Sequence, residues 1–115
     1  MNLIRTLVAA TVAGFLTAEM GAATSARAAE ISVAIDNFTF SPQQITVKAG
    51  DTVIWTNRDD IPHTATSTTK SFGSEVLDTN GSFSFTFTTP GSFSYFCALH
   101  PHMTGSVVVE ANAGG

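Results

Sequence analysis

Between positions 97 and 103 the chain reads Cys97-Ala98-Leu99-His100-Pro101-His102-Met103, which gathers a thiol, two imidazoles and a thioether into one short segment. Cys97 is the only cysteine of the chain, and the remaining histidine, His63, lies upstream in Ile61-Pro62-His63-Thr64. Thiolate, imidazole and thioether are soft or borderline donors, and together they favour copper, above all Cu(I), over hard cations. Two His and one Cys in a trigonal set with a weak axial Met is the ligand set of a copper site that transfers electrons. His63, Cys97, His100 and Met103 are therefore the candidate metal ligands. Such a set lies between the tetragonal preference of Cu(II) and the softer, lower coordination of Cu(I), so one electron can come or go with little rearrangement.

Each of these residues has an ordinary explanation when taken singly. Cys97 could be buried packing, Met103 core filler, His63 a hydrogen-bonded loop residue and His100 a surface side chain. Their joint occurrence in a chain with a single cysteine favours the metal reading. His102 is expected to be a solvent-facing loop residue, because Pro101 and the tight spacing make coordination by both His100 and His102 difficult.

The elements that must position these side chains read as strands. From Glu30 onward β-formers alternate with polar residues between turn signals, and no helical stripe is evident. Ile31, Val33 and Ile35 alternate, and Phe38 and Phe40 follow before Ser41-Pro42. Ile45 and Val47 precede the turn Ala49-Gly50-Asp51, which leads into Val53-Ile54-Trp55. Phe83, Phe85 and Phe87 alternate with Ser and Thr, as expected of a strand with one buried face. In Ser92 to Cys97 the same period puts Phe93, Tyr95 and Cys97 on one face, so Cys97 points inward. Val107 to Val109 form a closing strand, whereas the Ser/Thr-rich stretch from Thr64 to Ser74 resists assignment. The fold class expected is all-β, a two-sheet sandwich with Greek-key connections.

The first 28 residues read differently. A basic start ending at Arg5, an apolar run from Leu7 to Leu16 and small residues up to Ala28 have the layout of a secretory signal peptide. The run is too short to span a bilayer as a helix. A cut after Ala28 leaves a single domain, 29–115, in a periplasmic or secreted location, with no membrane insertion of the mature form. In that domain Lys48, Arg58 and Lys70 face eight acids, so its net charge is −5 against −4 for the whole chain. Nucleic acid is excluded as a partner on that balance. An exported chain with one unpaired thiol also fits a metal thiolate better than a disulfide scaffold.

The domain resembles the cupredoxins, and within them most closely the amicyanin group. The likeness rests on Asp51-Thr52-Val53-Ile54-Trp55-Thr56-Asn57-Arg58, the Pro62-His63 pair, Tyr95-Phe96-Cys97, and the Cys-x2-His-x2-Met loop closed by Gly105 and the final valines. It implies a trigonal plane of His63, Cys97 and His100 with Met103 axial, and a monomeric one-electron carrier that is not an enzyme. It also implies transient docking of redox partner proteins near the edge of His100, with Leu99, Pro101, Phe38 and Ile61-Pro62 as candidate patch residues. The chain departs from the resemblance at Thr64, where many relatives have an asparagine whose amide ties the ligand segments together, and at His102, where the amicyanin pattern usually has an aromatic or other apolar residue. Copper storage or delivery through the same ligands is the competing expectation.

Overall fold

The computed structural model describes residues 28–112, so nearly all of the expected leader lies outside the described residues. Among the described residues there are eight strands: β1 (Glu30–Asp36), β2 (Thr39–Ser41), β3 (Gln44–Lys48), β4 (Thr52–Asn57), β5 (Thr66–Ser67), β6 (Ser82–Thr86), β7 (Gly91–Cys97) and β8 (His100–Glu110). They form two four-stranded sheets, β2-β1-β4-β6 and β3-β8-β7-β5. The chain crosses from one sheet to the other at each connection from β2 through β7. Sequence neighbours are thereby separated, and two parallel pairs form, β1 with β4 and β3 with β8. The all-β sandwich expected from the sequence is the architecture observed.

Alternation of burial along the strands explains why they sit where they do. Val33 and Ile35 of β1, Val53 and Trp55 of β4, Tyr95 and Cys97 of β7, and Val107 and Val109 of β8 all turn inward. A period-two sequence can bury one face only in a fixed register, which this interleaving enforces. Trp55 is the hub of the core. Its ring stacks on Phe72 and Phe83 at 5.3 and 5.7 Å and meets Tyr95 edge-on at 5.4 Å. Such aromatic pairs add roughly 0.5–1.5 kcal/mol each beyond their buried area. Burial pushes the Tyr95 hydroxyl up to about 12, with the Trp55 indole offsetting part of the shift. Neither polar atom forms a hydrogen bond of good geometry.

The crossover from β3 to β4 is closed by Asp51. Its carboxylate accepts the N–H of Ala29 at 2.9 Å on one oxygen and that of Lys48 at 2.9 Å on the other, while Gly50 takes the left-handed φ of 103° that the turn requires. The backbone donors of Ala29 and then Lys48 hold the Asp51 carboxyl below its ordinary value. A carboxyl whose folded pKa is depressed adds stability above its unfolded pKa, about 3.9, and loses it as pH falls through the folded value. Melting temperature should therefore drop below about pH 4, and Asp51→Asn should flatten that acid limb while lowering stability at neutral pH. Parallel thermal melts of the two copper-free proteins from pH 3 to 7 check this, and superimposable acid limbs would remove the role of Asp51.

Candidate metal centre

Three elements converge at one end of the sandwich. Cys97 ends β7 on its inward face, fully buried. A two-residue turn, Ala98-Leu99, returns the chain to β8, whose first residue, His100, pairs directly with Cys97. His63 belongs to the connection after β4 and is also fully buried. That connection is organised by Asn57, whose amide donates to the carbonyls of Ile61 and Leu77, each at 2.9 Å. His63 and Leu77 then exchange backbone hydrogen bonds. His63 is thus tied to the fold on both sides, although it lies in no regular strand.

The sequence led to a loop between Cys97 and Met103, but the structure differs. Strand β8 already begins at His100. Pairing steps from Phe96 opposite Thr104 to Cys97 opposite His100, so Pro101, His102 and Met103 are accommodated as a bulge. Bulges commonly re-aim side chains beside functional sites. The missing N–H of Pro101 is tolerated at such an irregularity. Met103 is buried, with about 4% of its surface exposed, and belongs to the core cluster. His102 is exposed, as expected.

The side chains of His63, Cys97 and His100 point at one another. Their ligand atoms all lie within 4.8 Å, and Cys97 Sγ is 3.6 Å from Nδ1 of each histidine. The donor set can be tested against a metal by simple geometry. With sulfur bonded at about 2.3 Å and nitrogen at about 2.0 Å, as for zinc, donors on one ion at roughly tetrahedral to trigonal angles stand about 3.5–3.8 Å apart. The observed spacing fits one first-row ion among these three donors. A further donor, the Thr64 N–H, points at Cys97 Sγ from 3.3 Å and favours a negatively charged sulfur.

Asp59 is the residue that sequence reasoning missed. One carboxylate oxygen lies 2.8 Å from His63 Nε2, the ring nitrogen that faces away from Cys97. This contact assigns the proton to Nε2 and leaves the Nδ1 lone pair free, the usual arrangement of a carboxylate behind a metal-binding histidine. The same carboxylate accepts the N–H groups of Asn37 at 2.6 Å and Phe38 at 2.9 Å. Burial works to raise the Asp59 carboxyl, but the donors from Phe38 and Asn37 and the His63 contact outweigh it and hold it below its ordinary value. Asn37 and Phe38 both have left-handed φ values, 54° and 60°. For a non-glycine residue that conformation costs of order 1–3 kcal/mol and persists only where neighbours hold it.

Residues 6–109 match the family model of a cupredoxin-like domain. The chain belongs to the cupredoxin-like family. It is 33% identical over 94 residues to the amicyanin of Paracoccus versutus, an alignment covering 77% of this chain and 71% of that protein. Among solved structures, a Cu(I) form of an amicyanin mutant superposes with a TM-score of 0.65 at 33% identity, covering 77% and 88% of the two chains. A purple cupredoxin from Nitrosopumilus maritimus superposes with a TM-score of 0.66 at 30% identity, covering 70% of this chain and 99% of that one.

In this cupredoxin the tie between the segments that carry the candidate ligands is made by a hydroxyl. Thr64 Oγ1 accepts the Ala98 N–H at 2.8 Å and meets Thr66 Oγ1 at 2.8 Å. Together with the Thr64 N–H on Cys97, this joins the His63 segment to the Cys97–His100 turn at two points. Thr64→Val should leave the Ala98 donor without a partner, cost roughly 1 kcal/mol, and weaken copper binding by about tenfold or more through lost support of the ligands. Copper titration and voltammetry of the variant check this. An unchanged affinity together with an unchanged potential would remove the role.

Proposed function

We propose that the chain is a type 1 copper protein that carries one electron at a time, with His63, Cys97 and His100 as equatorial ligands and Met103 as the axial one. The observation that carries this reading is the convergence of one buried thiol and two imidazole Nδ1 atoms at metal-ligand spacing. Copper held there supplies a one-electron Cu(II)/Cu(I) couple. The residues do the rest. Asp59 fixes the tautomer and ring plane of His63, and the Thr64 N–H stabilises charge on Cys97 Sγ.

Burial of His63, Cys97 and Met103 in the sandwich excludes water and restricts movement of the donors, which keeps rearrangement small when an electron moves. His100 is only half-buried, between the exposed side chains of Leu99 and Pro101. Its edge is thus the short route to the surface, and we assign transient docking of redox partner proteins to that end. The protein transforms no substrate of its own and is read as a monomer.

The basic start, the apolar run from Leu7 to Leu16 and the small residues up to Ala28 support residues 1–28 as a removed leader and a periplasmic or secreted location. The experiment that tests the function is voltammetry of the copper-loaded 29–115 protein. A reversible one-electron wave, with copper retained over repeated cycles, is expected. Ready loss of Cu(I) to an acceptor without such a wave would instead favour copper delivery.

A further inference from the structure

We infer that Phe38 is a positioning residue for both imidazoles, held over them by Asp59; the inference rests on the copper reading of the same site. Phe38 lies in the turn between β1 and β2, far in sequence from either histidine, and is 45% exposed. An apolar ring in such a place normally has no fixed orientation. Here its edge-to-face contacts are specific: centroids 5.3 Å from His63 at 88° and 5.2 Å from His100 at 89°. The two imidazoles themselves lie 5.0 Å apart. One ring therefore braces a buried histidine and a half-buried one from the solvent side.

The turn that presents Phe38 is unfavourable by itself, since Asn37 and Phe38 are consecutive left-handed residues. The Asp59 carboxylate gathers both of their N–H groups while it also holds His63 Nε2. Such a concave pair of backbone donors is a natural seat for an anion. One carboxylate thus couples the ring that covers the site to the tautomer of the buried ligand. His100 has no such carboxylate on its outer side among the hydrogen bonds described; Cys97 and His63 meet its inner side, and Phe38 is the ring that packs on it from the solvent side. Removing the ring should admit water to the outer side of the imidazoles. Water favours the more highly charged cupric state.

The test compares copper-loaded wild type with Phe38→Ala and Phe38→Tyr. In the alanine variant the visible thiolate band should persist, capture of Cu(I) by a chelator such as bicinchoninate should quicken about tenfold, and the ratio of Cu(II) to Cu(I) affinity should rise about tenfold, a fall of 59 mV for a one-electron couple. The tyrosine variant keeps the ring and should behave as wild type. In the copper-free protein, Asp59→Asn should abolish nuclear Overhauser contacts between Phe38 and the two imidazoles while leaving the sheet resonances in place. A blue wild type whose alanine variant keeps the same potential and the same rate of copper loss would overturn the role of Phe38 alone. A wild type that fails to take up copper would overturn the reading of the site, and this inference with it.

Discussion

Cys97→Ser should fold, bind Cu(II) weakly and without intense colour, and give no reversible one-electron wave. The serine hydroxyl is nearly isosteric with the thiol, and the Thr64 N–H that points at Cys97 Sγ from 3.3 Å can donate to an oxygen instead. Loss of fold stability should therefore stay within about 1–2 kcal/mol, in the range of one altered buried hydrogen bond. The effect on the metal is of another order. A hydroxyl is not deprotonated under conditions in which a metal-bound thiol is, and a hard oxygen donor leaves Cu(I) without the soft ligand that it prefers. Binding, colour and redox reversibility should fall together, because all three depend on one sulfur. Spectroscopic titration and voltammetry check this. A serine variant that retained the colour would move the chromophore away from position 97.

The second large effect is expected at Gly105, far from any ligand in chemical character. A Cβ built there would lie 2.5 Å from both Cζ and the hydroxyl oxygen of Tyr95 and 3.0 Å from the carbonyl oxygen of Gln43. The Tyr95 ring cannot retreat, because it is fully buried against Trp55 and Phe40, nor can the backbone oxygen. Overpacking of this kind costs about 1–3 kcal/mol, occasionally more. Gly105→Ala should lie at the upper end and lower the melting temperature of the copper-free domain by roughly 10–20 °C, given its size. Tyr95 stands opposite Gly105 and two residues before Cys97 on the same face of β7, so displacing it should also loosen the metal centre. Calorimetry of Gly105→Ala, with and without copper, tests both statements. A melting temperature within 2–3 °C of wild type, or about half a kcal/mol, would show that Tyr95 has room to move.

The cluster of His63, Cys97 and His100 was legible as a candidate site because soft donors are scarce in this chain and crowd into one short segment, so their types alone suggest the chemistry. The sandwich was legible for a different reason: Phe83-Ser84-Phe85 and Phe93-Ser94-Tyr95 alternate with a period that only a one-sided strand can use. What the sequence concealed depends on contacts between distant segments. Asp59 resembles its exposed neighbour Asp60, and its role appears only when the connection after β4 folds over the turn at Asn37-Phe38. Phe38 continues the alternation of β1, and the family resemblance put it near the edge of His100; the left-handed turn that throws it outward onto both histidines has no signal in the residue types. The start of β8 at His100 was hidden by Pro101, which argues against a strand unless a bulge removes the need for its N–H. Gly105 could be noted as a closing residue, but the Tyr95 ring that requires it comes from the neighbouring strand.

Whether the Cys97 sulfur and two imidazoles hold one redox-active copper is tested most directly by the visible spectrum of the 29–115 protein loaded with Cu(II), taken alongside alkylation of its thiol. Intense thiolate-to-copper absorption, bleached on reduction and restored on oxidation, with Cys97 protected from alkylation while the metal is bound, is the predicted result. A colourless protein whose thiol is alkylated equally fast with and without copper would contradict it.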